Sequence, residues 1–466
     1  MDLTRALRFD TLIMPPRVAF VGAGGKTSAM FQCARGLPGP VLVTATTHLG
    51  VSQIQWADQH FYEDQIDALA ADSFSGVILI TGPLDGTTNR ISGVSAAKLE
   101  CLLALAEARQ IPLLIEADGS RQLPLKAPAE HEPPIPEFVD TVVVVAGLSG
   151  LGQPLTPKFV HRPEIFATLS GLQPGDSITP AALIRVLTHP AGGLKNVPAG
   201  ARRVALLNQA DTPTLQAQAA AIAPRLWPEY QSIIIASLQS QSSFATSTPE
   251  IYAVYEPTAA VILAAGEARR FGSPKQLLDW HGQPFIWHVA QQALRAGLNP
   301  VVVVCGEQIN QIQQALTGLP IKLIHNPDWQ QGQGTSVRAG VQALASVYPV
   351  PIRCPIRLVN GIPLFGGIIF LLADQPQISE LLLRKLVAEH TQTLNPITAL
   401  LVDGQRANPV LFDQVTFADL LALSGEAGGR QLFSKYPVNW LPWHDDLLLL
   451  DVDTPEDYRR FLELTA

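Results

Sequence analysis

The segment LAAGEARRFGSPK, which runs from Leu263 to Lys275, places basic residues at short spacing after a glycine. Arg270 lies four residues after Gly266, and Lys275 lies five residues after Arg270. Small residues let a backbone approach a ligand closely, and phosphate oxygens take charge-assisted hydrogen bonds from cations. The pattern therefore predicts a triphosphate site with Arg270 and Lys275 as its cations. The alternative is an ordinary strand–loop–helix turn with solvated basic residues.

Acidic residues follow two apolar runs in the same half of the chain. Asp374 ends the run IIFLLA, while Asp451 and Asp453 follow LLLL. Ligands of α/β sheets bind beyond the carboxyl ends of strands, and magnesium takes one or two carboxylates plus phosphate oxygens. We therefore predict that Asp374 and Asp453 hold Mg²⁺. The alternative is that each residue only caps the helix that follows it, since Thr454 and Pro455 are typical of a helix start.

A second glycine-rich turn lies near the start of the chain, in the segment RVAFVGAGGKTSAM. A strand should end at the turn, and a helix should begin near Lys26. The residues predicted to form a backbone nest, a phosphate cation and a magnesium hydroxyl are Gly22, Gly24, Gly25, Lys26 and Thr27. The full Walker pattern needs a glycine where Phe20 stands. A tight turn with an exposed lysine is the alternative.

Further polar residues follow two other apolar runs of the first half. Glu116 and Asp118 follow PLLI, where a magnesium- or water-positioning acid is expected, and Asp118 is the predicted metal ligand. Arg121 and Lys126 either contact an anionic substrate or are solvated loop charges. The segment NQAD, ending at Asp211, is similar to the base-reading N-K-x-D element of GTPases but has Gln for Lys, which leaves the base open.

The elements that position these residues can be predicted from the sequence. Short apolar, β-branched runs alternate with longer segments that have the periodicity of helices. Continuous apolar strands between helices indicate buried parallel sheet, so each half is predicted to be α/β, a mostly parallel sheet flanked by helices. The polar stretch Ser237–Pro257 is the predicted linker, giving domains 1–248 and 257–466. The predicted strands are Val18–Val21, Val41–Thr44, Val77–Ile80, Leu113–Ile115, Val142–Val145, Val204–Leu207, Ile233–Ile235, Ala260–Leu263, Val301–Val304, Ile321–Ile324, Ile368–Ala373, Thr398–Val402 and Val410–Phe412.

Composition excludes several classes of protein. The 466 residues are 47% hydrophobic and only 15% charged, unlike a disordered chain. A net charge of −8 argues against a nucleic-acid partner. The longest apolar run, Ile362–Ala373, is too short to span a membrane. The four scattered cysteines and a start without a signal-peptide apolar region predict a cytoplasmic protein with reduced thiols.

The second half, about 257 to 464, resembles the MobA/MocA-like nucleotidyltransferases and is most similar to the molybdenum cofactor cytidylyltransferase branch. Their signature LAAG-x-S-x-R-M-G-x-x-K is LAAGEARRFGSPK here, with Ala268 for Ser and Phe271 for Met. The loop Pro349–Gly367 is longer than the family's usual connection. Other matching segments are HNPDWQQGQGTSVRAGV, ADQPQIS, ANPVLF, GEAGGRQLF and DVDTPED.

The resemblance implies a Rossmann-like domain that transfers CMP from CTP to molybdopterin carrying molybdenum and releases pyrophosphate. No protein nucleophile is needed. Arg270, Lys275 and Asp374 are the implied catalytic residues, with Mg²⁺ on Asp374 and Asp453. The implied nucleotide seat is the backbone of Leu263, Ala264, Ala265 and Gly266, with Gly334, Thr335 and Ser336 around the base or ribose. A GTP-using or sugar- or polyol-phosphate nucleotidyltransferase is one alternative, and a cofactor-binding chaperone without turnover is another.

The first half, about 15 to 245, resembles the YqeC family of accessory proteins of selenium-dependent molybdenum hydroxylases. Four segments carry this likeness: GAGGKTS, TATTH, EADGSRQLPLKAP and NQAD. The resemblance implies a P-loop-like domain that binds ATP or GTP at Lys26 and Thr27. An apo molybdenum hydroxylase is the implied protein partner.

Overall fold

The chain forms two compact units, one ending at Tyr255 and the other beginning at Glu256. The computed structural model describes residues 1–12, 14–66, 75–85, 90–238, 250–266, 271, 274–345 and 365–465. Within these residues, no helix has both the length and the apolar character needed to cross a bilayer.

The first unit is built on a nine-stranded sheet of order β14-β13-β12-β10-β1-β8-β2-β5-β4. Its strands and those of two small sheets are β1 (Arg17–Gly22), β2 (Val41–Ala45), β3 (Leu49–Gly50), β4 (Gln59–Tyr62), β5 (Val77–Thr81), β6 (Leu84–Asp85), β7 (Arg90–Ile91), β8 (Leu113–Glu116), β9 (Leu125–Lys126), β10 (Thr141–Gly147), β11 (Val160–His161), β12 (Arg202–Asn208), β13 (Ser232–Ser237) and β14 (Glu250–Tyr255). Its helices are α1 (Leu3–Ala6), α2 (Lys26–Gly36), α3 (Ala96–Arg109), α4 (Pro163–Ser170), α5 (Pro180–Thr188) and α6 (Pro213–Leu226).

Burial on both faces explains the apolar runs of this sheet. Every residue of β10, TVVVVAG, is buried, and every neighbouring pair in the sheet is parallel except β13 with β14. Helices cover such sheets, so neither face alternates with polar residues. The predicted mostly parallel α/β fold of the first half is confirmed.

The predicted linker contains an element of the first sheet. Residues 250–255 form β14, which pairs antiparallel with β13 through contacts such as Ile234 with Val254. Ala253 and Val254 are buried. The expectation that Ser237–Pro257 is a linker is wrong at both ends, because Ser237 also ends β13. Strand β14 was not predicted, because the residues before it are polar and its outer positions face solvent.

The second unit has a seven-stranded sheet of order β19-β18-β15-β20-β22-β21-β23. Its strands and those of a separate two-stranded sheet, β16-β17, are β15 (Thr258–Ala264), β16 (Asp279–Trp280), β17 (Gln283–Pro284), β18 (Val301–Cys305), β19 (Lys322–His325), β20 (Gly367–Leu372), β21 (Ile397–Val402), β22 (Gln405–Asp413) and β23 (Val438–Trp443). Its helices are α7 (Phe285–Arg295), α8 (Ile309–Ala315), α9 (Gln333–Ala345), α10 (Glu380–Thr393), α11 (Phe417–Leu421) and α12 (Pro455–Leu464).

This sheet is also mostly parallel, with antiparallel pairing only where β22 meets β20 and β21. Strand β15 lies between β18 and β20, with Ala264 opposite Cys305 and Leu263 opposite Leu372. The carboxyl ends of these three strands therefore meet at one edge. That edge places LAAG beside Asp374.

Candidate functional site

A cavity of about 710 Å³ opens at this edge of the second unit. Leu263, Ala264, Ala265 and Gly266 line it, and so do Lys275 and Asp374. The cavity thus brings together the predicted nucleotide seat, one predicted cation and one predicted metal carboxylate. Arg270 lies outside the described residues.

Lys275 lies at the edge of the cavity, in a short helix and in contact with an acidic side chain. It begins a short 3-10 helix, Lys275–Leu277, and its ammonium donates to the Asp453 carboxylate. The next residue, Gln276, is buried and donates through Nε2 to the Ala264 carbonyl at 3.4 Å. Lys275 keeps 17% of its side chain exposed and Asp453 keeps 53%. Both charged groups are therefore accessible to a ligand.

Asp374 is a partly buried carboxyl group close to other charges. Burial raises its pKa, the charges of Asp451 and Asp453 raise it further, and Lys275 lowers it. Helix α10 is capped by Ser379, whose hydroxyl accepts from the Leu382 amide at 3.3 Å. The alternative that Asp374 only caps this helix is therefore wrong.

The cap of α12 likewise does not depend on Asp453. Thr454 is the N-cap: its hydroxyl accepts from the Asp457 amide at 3.2 Å, and the Asp457 carboxylate accepts from the Thr454 amide at 2.8 Å. Pro455 is at the first turn, as predicted. The carboxylate of Asp453 instead contacts Lys275. Within the described residues, no three His, Cys, Asp or Glu side chains form a group that would hold a metal.

Because Thr454 caps α12 and Asp453 does not, mutations of the two residues should change the free energy of unfolding by different amounts. Thr454→Ala should lower the free energy of unfolding by about 1 kcal/mol, because it removes a capping hydroxyl. Asp453→Asn should leave that free energy within about 0.5 kcal/mol of wild type, since exposed surface changes are usually small. Urea titration of the full chain measures both. Equal destabilisation by the two variants would indicate that Asp453 has a structural role.

The amino end of α9 forms another wall of the cavity. Ser336 lines the cavity together with Gly332 and Gln333. Thr335 is buried and donates to the Gly332 carbonyl at 2.9 Å. Gly334 packs against the loop that contains Ser424, where a Cβ would lie 2.9 Å from backbone. Of these three predicted residues, Ser336 is thus the one whose atoms line the cavity, and the other two support it.

Asn326 is a residue of this wall that the sequence analysis missed. It is buried after β19, and its Nδ2 donates to the hydroxyls of Thr335 at 2.9 Å and Ser336 at 3.0 Å. Its Oδ1 accepts from the Asp328 amide at 3.0 Å. The signal that could have found it is its position one residue after the predicted strand Ile321–Ile324, similar to the position of Asp374 after its own strand.

The glycine-rich turn of the first unit has the predicted form. Helix α2 begins at Lys26, and Gly22, Gly24 and Gly25 have φ of 95°, 83° and 117°. These left-handed angles favour glycine. At Gly24 a Cβ would also lie 2.4 Å from the Gly147 backbone. The turn therefore brings the amino end of α2 to the strand end, an arrangement suited to anions, although the amides of Gly22 and Gly24 donate to Asp118 and to the Leu123 carbonyl.

Lys26 and Thr27 are enclosed by acidic side chains. The Lys26 ammonium donates to the Gly22 carbonyl at 2.9 Å and lies 3.7 Å from Glu116 and 3.4 Å from Asp118. Thr27 donates to Glu116 at 2.6 Å. Burial raises the pKa of Glu116, and the Lys26 charge opposes that shift. The alternative of an exposed lysine is wrong, because Lys26 is only 3% exposed.

Asp118 and Lys126 belong to a buried ionic network. Asp118 accepts from the Gly22 amide at 3.1 Å and from the Lys126 ammonium at 2.8 Å. Lys126 also donates to Glu132 at 2.9 Å, and Arg162 forms two bonds to Glu132, at 2.7 and 2.8 Å. Lys126 is buried, so it is not a solvated loop charge, whereas Arg121 is exposed. The metal assignment of Asp118 remains a prediction.

The NQAD segment is tied to the same turn. Asn208 is buried, donates to the Gly24 carbonyl at 2.7 Å and accepts from the Leu238 amide at 2.8 Å. Asp211 accepts from the Ser237 hydroxyl. Asn208 therefore fixes the shape of the glycine-rich turn.

Both units belong to the class of α/β proteins with mostly parallel sheets, in which ligands bind beyond the carboxyl ends of the strands. Residues 18–164 match the family described as YqeC protein, and residues 260–440 match the MobA-like NTP transferase domain. A protein named YqeC from Escherichia coli (strain K12) is 36% identical over 198 residues, which are 42% of this chain and 76% of that protein. This chain belongs to the YqeC family and joins that domain to a MobA-like nucleotidyltransferase domain.

Two further relatives match about the same share of this chain. Purine catabolism protein PucB of Bacillus subtilis (strain 168) is 30% identical over 213 residues, covering 42% of this chain and 92% of that protein. Nicotine blue oxidoreductase of Paenarthrobacter nicotinovorans is 27% identical over 211 residues, covering 43% of this chain and 95% of that protein.

Proposed function

We propose that this chain is a molybdenum cofactor cytidylyltransferase, which transfers CMP from CTP to molybdopterin carrying molybdenum and releases pyrophosphate. The observation that carries the proposal is the meeting of the LAAG backbone, Lys275 and Asp374 in one cavity. The MobA-like nucleotidyltransferase match over 260–440 supports the class of reaction. The choice of CTP and molybdopterin rests on the likeness of LAAGEARRFGSPK to the cytidylyltransferase branch.

The residues present fit the magnesium ion that the family implies. Burial and the charges of Asp451 and Asp453 raise the pKa of Asp374, so a cation beside it would relieve an unfavourable concentration of negative charge. Magnesium is typically bound by one or two carboxylates together with phosphate oxygens. Asp374 and Asp453 would hold it, and it would supply charge neutralisation to the triphosphate.

The chain's own residues would act by positioning and by charge. The terminal phosphate of molybdopterin attacks the α-phosphorus of CTP through one oxygen, and the bond from that phosphorus to the bridging oxygen of pyrophosphate breaks. Lys275 and Arg270 would stabilise the negative charge on the leaving pyrophosphate. The backbone from Leu263 to Gly266 would seat the nucleotide close to the acceptor. No covalent intermediate with the protein is required.

For the first unit we propose binding of ATP or GTP at the glycine-rich turn in support of the maturation of a molybdenum hydroxylase. The helix start at Lys26 and the contact of Thr27 with Glu116 support this role. A triphosphate would take Lys26 away from the carboxylates that now surround it. Thr27, Glu116 and Asp118 would hold a magnesium ion, which would neutralise the charge of the phosphates.

A nucleotide panel tests both proposals on the full chain. Pyrophosphate release is measured with CTP, GTP and ATP in the presence of molybdopterin, and equilibrium binding of the same nucleotides is measured on wild type and Lys26→Met. We expect release with CTP above that with GTP and ATP, unchanged in Lys26→Met. We also expect Lys26→Met to lose one class of ATP or GTP sites.

The rival functions predict other patterns in the panel. Release with GTP above CTP, or release only with a sugar or polyol phosphate acceptor, indicates the nucleotidyltransferase alternatives. Stoichiometric binding of finished cofactor without release indicates the chaperone. Either result would overturn the cytidylyltransferase proposal.

A further inference from the structure

We propose that the indole of Trp329 stacks on a planar heteroaromatic ring of a substrate in the cavity of the second unit. Trp329 begins a 3-10 helix, Trp329–Gln331, shortly after β19, and it is half-buried. It lines the same cavity as Ala264 and Asp374. The inference rests on the proposed nucleotidyl transfer and concerns how its flat substrates are held.

Gly306 supports the indole from the adjacent strand end. It directly follows β18, and a Cβ built there would lie 3.0 Å from Cγ and 3.1 Å from Cδ2 of Trp329. Contacts this close are tighter than a side chain normally allows. The missing Cβ therefore lets the ring lie against the backbone at the edge where the cavity opens.

The turn that carries Trp329 is fixed by hydrogen bonds on both sides. Asp328 donates through its amide to Asn326 at 3.0 Å and accepts from Gln331 Nε2 at 2.9 Å. The Gly332 amide donates to the Trp329 carbonyl at 3.2 Å, and Gly332 has a φ of 113°. A ring held in one place before binding loses little freedom when a ligand stacks on it.

The chemistry that an indole face recognises is a flat, delocalised ring. Such stacking tolerates any base, because every base has a π-face. In the proposed reaction two partners carry such a ring, the nucleotide and the pterin acceptor. Both would bring their phosphates toward Lys275 and Asp374, so the ring contact and the phosphate contacts can be separated by experiment.

Three full-length variants provide that separation. Trp329→Leu removes the aromatic face and keeps an apolar side chain, Trp329→Phe keeps a smaller face, and Trp440→Leu is the control. The guanidinium carbon of Arg406 lies 5.3 Å from the centre of the Trp440 ring. Equilibrium binding is measured with CTP and with inorganic tripolyphosphate, which has no ring, both with Mg²⁺. The KM for molybdopterin is measured alongside.

The expected result is a loss of about 5- to 150-fold confined to one ring-bearing ligand in Trp329→Leu, with tripolyphosphate binding unchanged. A loss in CTP binding assigns the ring to the nucleotide, and a rise in KM for molybdopterin assigns it to the acceptor. Trp329→Phe should retain most of the affinity, and Trp440→Leu should match wild type.

Two outcomes overturn the inference. One is unchanged binding and KM in Trp329→Leu, and the other is an equal loss for CTP and tripolyphosphate, which indicates a distorted cavity. Absence of pyrophosphate release by wild type with every nucleotide counts instead against the proposed function, because the binding of CTP and of tripolyphosphate is measured without turnover.

Discussion

Asp374→Asn is expected to lower pyrophosphate release by about 10²- to 10³-fold, the scale seen when one group that stabilises transition-state charge is removed. The substitution keeps the size of the side chain and removes its charge beside Lys275. Release is measured at saturating CTP and molybdopterin. The control is Asp403→Asn, an exposed acid in the β21–β22 hairpin with a φ of 46°, which Asn also adopts.

The pH dependence of this activity follows from the same residue. Burial raises the pKa of Asp374 above that of an ordinary aspartate. In the metal-free protein a proton on Asp374 competes with Mg²⁺, so at a fixed, subsaturating Mg²⁺ concentration activity should fall as the pH drops toward the raised pKa, and added Mg²⁺ should move this fall to lower pH. The Asp403→Asn profile should overlay wild type. Two results would show that Asp374 does not act at the site. One is full activity of Asp374→Asn, and the other is residual activity of that variant that falls at low pH in the same way as wild type.

Glu132→Ala is expected to destabilise the first unit by about 1.5–3 kcal/mol, because it removes two bonds from Arg162 and one from Lys126, which keeps its bond to Asp118. Glu132 is 9% exposed and joins Lys126 to Arg162. Urea unfolding of the full chain, followed by a probe in the first unit, measures the loss. Glu130→Ala, an exposed neighbour, should change stability by less than about 0.5 kcal/mol.

The stabilising effect of Glu132 should also depend on pH. Burial alone would raise its pKa, but the bonds from Arg162 and Lys126 outweigh it and lower the pKa from 4.5 to about 2. A lowered pKa means that the stabilisation is complete above the unfolded value and is lost as the pH falls from 4.5 toward 2. Glu132→Ala should lack this part of the acid sensitivity. Identical stability of the two proteins at neutral pH would contradict the role of the network.

The buried parallel strands were predictable because their signal is local. Runs such as VVVV in β10 are apolar on both faces, and the helices between them keep their periodicity. Strands with one face toward solvent were harder to find. Strand β22 begins at Gln405 rather than at the predicted Val410, because its first residues are polar and pair in a hairpin with β21. Strand β14 was not predicted for a related reason, because the residues before it are polar.

The candidate site was predictable where small, charged or polar residues follow an apolar run. Lys275, Asp374 and the LAAG backbone meet in one cavity because β15 and β20 are neighbours in a parallel sheet. Glu132 and Arg162 were not found, because they are far apart in sequence and lie in loops without periodicity. Their pairing depends on tertiary packing around Lys126, which no local pattern encodes.

Transfer of the nucleotide itself tests the central claim most directly. CTP labelled at its α-phosphorus is incubated with the full chain, Mg²⁺ and molybdopterin carrying molybdenum, and the pterin product is isolated. We predict label on the pterin in amounts equal to the pyrophosphate released, with at least about 10²-fold less from Asp374→Asn. Pyrophosphate release without label on the pterin, or label that is unaffected by Asp374→Asn, would contradict the proposed activity of this site.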